Sequence, residues 1–132
     1  MSSDIIATTG DILRLWQVNN NEVSLSASFA NKRQTEYCGP LTSFDWHRAN
    51  PNLIGVASID STCTIWDIVR QEAVKQLIAH EKEVCDIAFT QNPNVFATAG
   101  ADSSVRQFDL RDLRSCSILH DNYEHKPYLR IC

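Results

Sequence analysis

His80, Thr98 and Asp102 supply the three side-chain types needed for acid–base and nucleophilic chemistry: a base, a hydroxyl and a carboxylate. Such a set works only if the nucleophile is aimed at an open site. Thr98 falls in the middle of the apolar run Val95–Gly100, which reads as a strand, so it is a poor nucleophile. Cys116, His120 and His125 follow a C-x3-H-x4-H pattern near zinc-ligand spacing. A fourth ligand is absent nearby, and a last strand followed by a loop accounts for all three. The sequence holds no Gly-rich phosphate loop, HExxH or GxSxG pattern. Neither an enzyme nor a metal or cofactor site is expected. The polar residues are therefore read as parts of a frame.

That frame must come from a chain of 132 residues, the size of one ordinary domain. Hydrophobic residues make up 43%, enough for a core, and charged residues 21%, which places the chain among globular rather than disordered sequences. A net charge of −4 argues against an extended basic face for nucleic acid. No apolar run approaches the roughly 18 residues of a membrane helix, and Met1-Ser2-Ser3-Asp4 lacks the charged-then-apolar pattern of a secretory signal. The five cysteines, at 38, 63, 85, 116 and 132, are odd in number and show no CxxC spacing. Reduced thiols are the simplest reading, and a location in nucleus and cytoplasm is expected.

Strands are read from alternation and β-branched content. Ile5–Thr8, Ile12–Val18 and Val23–Phe29 form a first group, with a tight turn expected at Gly10-Asp11. The polar stretch Asn31–Gly39 reads as a loop. Leu41–Trp46, Leu53–Ser58, Cys63–Asp67 and Ala73–Ile78 form a second group, with a turn at Asn50-Pro51-Asn52. Val84–Thr90, Val95–Gly100, Ser104–Leu110 and Ser115–Leu119 form a third, with a turn at Asn92-Pro93-Asn94. Tyr128–Ile131 looks like the opening strand of another. The groups repeat: an apolar small-residue strand, a turn, then a strand ending in an aromatic at Trp16, Trp66 and Phe108, spaced 50 and 42 residues apart. A period near 40–45 with this content and a Trp-Asp ending is a sign of propeller blades. The fold expected is all-β, a partial β-propeller with about three blades of four antiparallel strands. Residues 1–30 hold an incomplete blade, 41–79 and 80–120 complete ones, and 127–132 the start of the next. A start and end in mid-blade lead to the expectation of a longer protein.

At Leu41-Thr42-Ser43-Phe44-Asp45-Trp46, Ser58 through Asp67, Gln76 through Val84, and Phe108-Asp109-Leu110-Arg111-Asp112, the chain resembles one WD40 subfamily. It includes the plant transparent-testa-glabra adaptor and its animal counterpart, a cullin-ligase-associated WD-repeat factor. The resemblance covers about Asp4 to Cys132 and implies that these blades are part of a seven-bladed propeller. It implies that His80 bonds Asp102 and that Thr98 continues the chain of bonds toward a Trp indole, which Phe108 replaces here. It implies that Asn31–Gly39, Asp60-Ser61, Glu81–Glu83 and Asp102-Ser103 share one end of the propeller. Lys32, Arg33 and Tyr37 are candidate partner contacts there.

The same resemblance implies a non-catalytic scaffold with protein partners. These are MYB and basic helix-loop-helix transcription factors, dual-specificity or homeodomain-interacting kinases, and a cullin-4 ligase linker. The last rests on a box ending Trp-Asp-x-Arg, here Phe96 to Arg111, with Asp109 and Arg111 in place and Phe108 and Gln107 departing from the pattern. The plainer reading of Arg111 is a turn ion pair with Asp112. A truncated gene product without a function of its own is a third reading of the whole chain.

Overall fold

The computed structural model describes residues 4–30, 39–121, 124 and 126–131. They form eleven strands, with no helix among the described residues: β1 (Asp4–Thr9), β2 (Leu13–Asn19), β3 (Glu22–Phe29), β4 (Leu41–Trp46), β5 (Leu53–Ser58), β6 (Thr62–Asp67), β7 (Glu72–Ile78), β8 (Val84–Phe89), β9 (Val95–Gly100), β10 (Ser104–Asp109) and β11 (Asp112–Asp121). Consecutive strands pair antiparallel. They make a three-stranded sheet β1-β2-β3 and two four-stranded sheets, β4-β5-β6-β7 and β8-β9-β10-β11.

The sheets stack face to face, and the sequence of the middle sheet shows why. Leu53–Ser58 and Thr62–Asp67 are almost wholly buried runs without polar alternation, the mark of strands covered on both faces. Ile54, Val56 and Trp66 point one way, into a cluster with Leu13, Leu15 and Phe29 of the first sheet. Ala57, Cys63 and Ile65 point the other way, to Ile87, Phe89, Phe96 and Phe108 of the third. Gly55 lets the sheets approach. A Cβ there would stand 2.9 Å from Ile87 Cδ1 and 3.0 Å from Phe89 Cε2. The result is all-β, part of a β-propeller.

The outer strands β3, β7 and β11 are largely exposed. Each carries a register shift opposite the aromatic end of its neighbour, next to Trp16, Trp66 or Phe108. Bulges on edge strands twist them and hinder pairing with foreign strands.

Two local expectations change. The tight left-handed turn is at Asn20-Asn21, with φ of 42° and 70°, where a two-residue hairpin demands positive φ twice. Gly10-Asp11 belongs to a wider three-residue connection, and Gly10 does not take positive φ. Tyr128–Ile131 is not a strand. Among the described residues no strand lies beside it to complete a ladder. The Ile131 amide instead donates to Asp86 Oδ2 at 2.8 Å.

Candidate functional site

The candidate triad is a closed hydrogen-bond network. His80 enters the third sheet from the connection after β7 and is 1% exposed. Its Nδ1–H donates to Asp102, 2.9 Å from Oδ1 and 3.1 Å from Oδ2. That leaves Nε2 to accept from the Thr98 hydroxyl at 2.8 Å. Ser104 donates to Asp102 Oδ1 through its amide (3.1 Å) and hydroxyl (2.7 Å), and the Glu81 amide donates to Oδ2 at 3.2 Å. Burial alone would raise the Asp102 carboxyl, but the Ser104 hydroxyl, the Glu81 amide and His80 outweigh it and hold it at about 2. Burial pushes the His80 imidazole below its ordinary 6.5, Asp102 opposing. A neutral imidazole with both nitrogens engaged, beside a fully buried Thr98 hydroxyl, has no access to a substrate.

Phe108 removes one link, and the first sheet shows what is lost. Trp16 Nε1 donates to Thr8 Oγ1 at 2.9 Å. Thr8 pairs with Arg14 as Thr98 pairs with Arg106, so Trp16 and Phe108 occupy the same place. In the third sheet Phe108 stacks on Phe96 instead, centroids 5.4 Å apart. Arg106 is a brace the sequence reading missed. Its Nε donates to Ser104 Oγ (3.2 Å), Nη2 to Asp102 Oδ2 (3.3 Å) and Nη1 to the Ala79 carbonyl (3.2 Å). Gly100 was missed too: its missing Cβ makes room for the imidazole, since a Cβ would lie 2.3 Å from His80 Nδ1. Ser104, two residues after Asp102, was legible as turn chemistry. Arg106 and Gly100 carried no local signal.

Backbone bonds gather several turns at this end. The Ala79 amide donates to Ser61 O and the Ala101 amide to Glu83 O, both at 2.9 Å. Ser61 and Ser103 hold the same left-handed turn position, φ 71° and 66°. Gly39 and Pro40 reach the same end, with the Ile59 amide donating to Pro40 O at 3.1 Å. Lys32, Arg33 and Tyr37 lie outside the described residues.

At the opposite end Arg111 is paired with Asp109, not Asp112. Its Nη2 lies 2.6 Å from Asp109 Oδ2 and its Nε 2.9 Å from Oδ1, while its own amide donates to Oδ1 at 2.8 Å. Two residues of separation across the tight β10–β11 turn fold the guanidinium back onto the carboxylate. Asp112 is already engaged by the Arg114 amide and Ser115 hydroxyl, each at 3.2 Å. The Arg111 side chain bond, then its amide, hold the Asp109 carboxyl at about 2, and Asp109 in turn raises the guanidinium. The Arg111 side chain stays 68% exposed. Beside this turn Leu110 N donates to Asn94 O, and the matching Ile68 N donates to Asn52 O one sheet earlier. His47 ties those sheets together: its Nδ1 accepts the Ala49 and Asn50 amides, and its Nε2–H donates to Pro93 O.

Of the residues at zinc-ligand spacing, Cys116 and His120 are among those described. Among the described residues no three His, Cys, Asp or Glu side chains converge as metal ligands. His120 packs edge-on against Tyr128 at 5.7 Å, and His125 lies outside the described residues.

Stacked antiparallel sheets, a His–Asp brace on a repeated turn and exposed turns at both ends define a repeat protein of the β-propeller class. Residues 31–67 and 71–109 match the family described as WD domain, G-beta repeat, and the chain belongs to it. The DDB1- and CUL4-associated factor 7 homolog of Dictyostelium discoideum is 48% identical over 130 residues, 98% of this chain and 40% of that protein. A WD repeat-containing protein of Schizosaccharomyces pombe is 45% identical over 125 residues, 90% of this chain and 29% of that protein. The guanine nucleotide-binding protein subunit beta of Solanum tuberosum is 28% identical over 109 residues, 81% of this chain and 28% of that protein. The chain thus spans less than half the length of each of these relatives.

Proposed function

We propose that this chain contributes WD-repeat blades to a non-catalytic adaptor acting in nucleus and cytoplasm. The observation that carries this is the inverse placement of its polar chemistry. His80, Thr98 and Asp102 are used up inside a sheet, while turns stand exposed at the sheet ends, where partners have access. Transcription factors of the MYB and basic helix-loop-helix types, and dual-specificity or homeodomain-interacting kinases, are the proposed partners. They dock at the end that carries Glu81–Glu83 and, by the family resemblance, Lys32, Arg33 and Tyr37. The test is co-precipitation from cells of the full-length protein with Lys32, Arg33 and Tyr37 all changed to Ala. Loss of kinase or transcription-factor capture is expected; unchanged capture would remove this surface from the proposal.

A second reading is favoured by Arg111: a substrate receptor of a cullin-4 ubiquitin ligase. The Asp109 carboxylate orients a guanidinium that remains open to a partner, and the name of the Dictyostelium relative includes association with DDB1 and CUL4. Arg111→Asp should abolish capture of the ligase linker and spare the kinases. Retention of both in that variant rules out Arg111 as the linker contact.

A further inference from the structure

The innermost strands β4 and β8 lie side by side with only side chains to join them, because a sheet's inner edge has no ladder partner for its outward amides. One such amide, Phe89 N of β8, is taken by a carboxylate from the preceding sheet, Asp45 Oδ2 of β4, at 2.8 Å. The other oxygen of Asp45 accepts its neighbour's amide, Trp46 N, at 3.0 Å. The arrangement recurs one step on. Asp86 of β8, 6% exposed, accepts Ile131 N through Oδ2 at 2.8 Å and Ile87 N through Oδ1 at 3.0 Å. Asp86 also accepts the Ser43 hydroxyl of β4, so a single carboxylate touches three successive chain segments. Asp45 and Asp86 are not at equivalent repeat positions: Asp45 pairs with Gly55, whereas Asp86 pairs with Ala99. The same solution has been reached from two registers.

We propose that Asp45 and Asp86 form a carboxylate ladder that couples the docking of β8 to β4 and of the segment ending at Ile131 to β8, with Asp86 as its node. Each rung grips a main-chain amide, so it fixes the register of the next segment whatever side chains that segment carries. An ionised acceptor makes the bond stronger than a neutral one. Opening of the segment around Ile131 is therefore gated by Asp86, and opening at the end of β8 by Asp45. This is a device for cooperativity between blades, and it does not depend on the partner-binding reading above.

Residue-resolved hydrogen exchange on the full-length protein tests it. Asp86→Ala should speed exchange of the Ile131 amide by about tenfold or more and leave the Phe89 amide near wild type. Asp45→Ala should do the reverse. Asp86→Asn keeps the shape and one acceptor oxygen without the charge, so it should give a smaller rise at Ile131 and provides the readout if the alanine variant does not fold. Wild-type exchange at Ile131 in both Asp86 variants overturns the proposal. So does an equal rise across all sheets, β2 included, since that would report general destabilisation rather than a gated rung.

Discussion

Gly100→Ala is the sharpest perturbation of the His80 network, because the added methyl has nowhere to go. A Cβ at this position would stand 2.3 Å from His80 Nδ1, 2.5 Å from Cγ and 2.7 Å from Asp102 Oδ1. The strand cannot retreat, since Gly100 pairs with Val84 on one side and lies beside a fixed turn on the other. The imidazole must swing away, leaving Thr98 Oγ1 and the Asp102 carboxylate short of a partner in a buried setting. Unsatisfied buried groups cost about 1–3 kcal/mol each, and overpacking strain about 1–3 kcal/mol. A loss of roughly 3–5 kcal/mol is expected from these terms, allowing for partial relaxation. Urea unfolding of the full-length protein measures it, and a double-mutant cycle isolates the cause. In His80→Ala the obstructing ring is gone, so adding Gly100→Ala should cost little more than His80→Ala alone. The middle sheet shows that the position itself tolerates a side chain. Ser58 stands in the same register, with its hydroxyl toward the Gly39 and Pro40 carbonyls at 3.4 Å. Additive losses in the cycle, or a Gly100→Ala protein within about 0.5 kcal/mol of wild type, would refute the reasoning.

Three further outcomes follow from the same geometry. The folded pKa values of both His80 and Asp102 lie below their ordinary 6.5 and 3.8, so the unfolded chain binds more protons and stability is lost as pH decreases. The His80 contribution fades as pH drops below about 6.5. That of Asp102 is present above about pH 4 and lost as pH falls through about 2; a flatter unfolding-midpoint profile in His80→Gln between about pH 7 and 5 checks the first part. Gly55→Val should cost about 1–3 kcal/mol by pushing Ile87 and Phe89 away, read as a lower urea midpoint. Arg106→Met should cost about 1–2 kcal/mol because the Ala79 carbonyl and Ser104 lose their donors. Arg106→Lys should recover only part, since a single ammonium cannot replace the three-point fork.

Much of the frame was local and therefore legible in the chain. Leu41–Trp46, Leu53–Ser58 and Val95–Gly100 are strands to the residue. Strand periodicity and turn residues such as Asn92-Pro93-Asn94 act over a few positions, and repetition near 42 residues reinforced each reading. The network of His80, Thr98 and Asp102 was expected from the family resemblance alone: within the chain only the turn recurs, Asp60-Ser61 matching Asp102-Ser103, while Val56 stands where Thr98 does. What packing decided involves groups far apart in sequence or competing for one partner. Arg111 chose Asp109 over Asp112 because Asp112 was already engaged by Arg114 and Ser115. Arg106 found the Ala79 carbonyl 27 residues away, Gly100 was selected by a ring entering from the previous connection, and Asp45 and Asp86 found amides 44 and 45 residues on. Tyr128–Ile131 has strand-forming residues, yet a strand is a ladder before it is a pattern. Residue types and spacing determined which segments could pair; only the stacking of the sheets decided which donor met which acceptor, because that depends on distances no local pattern encodes.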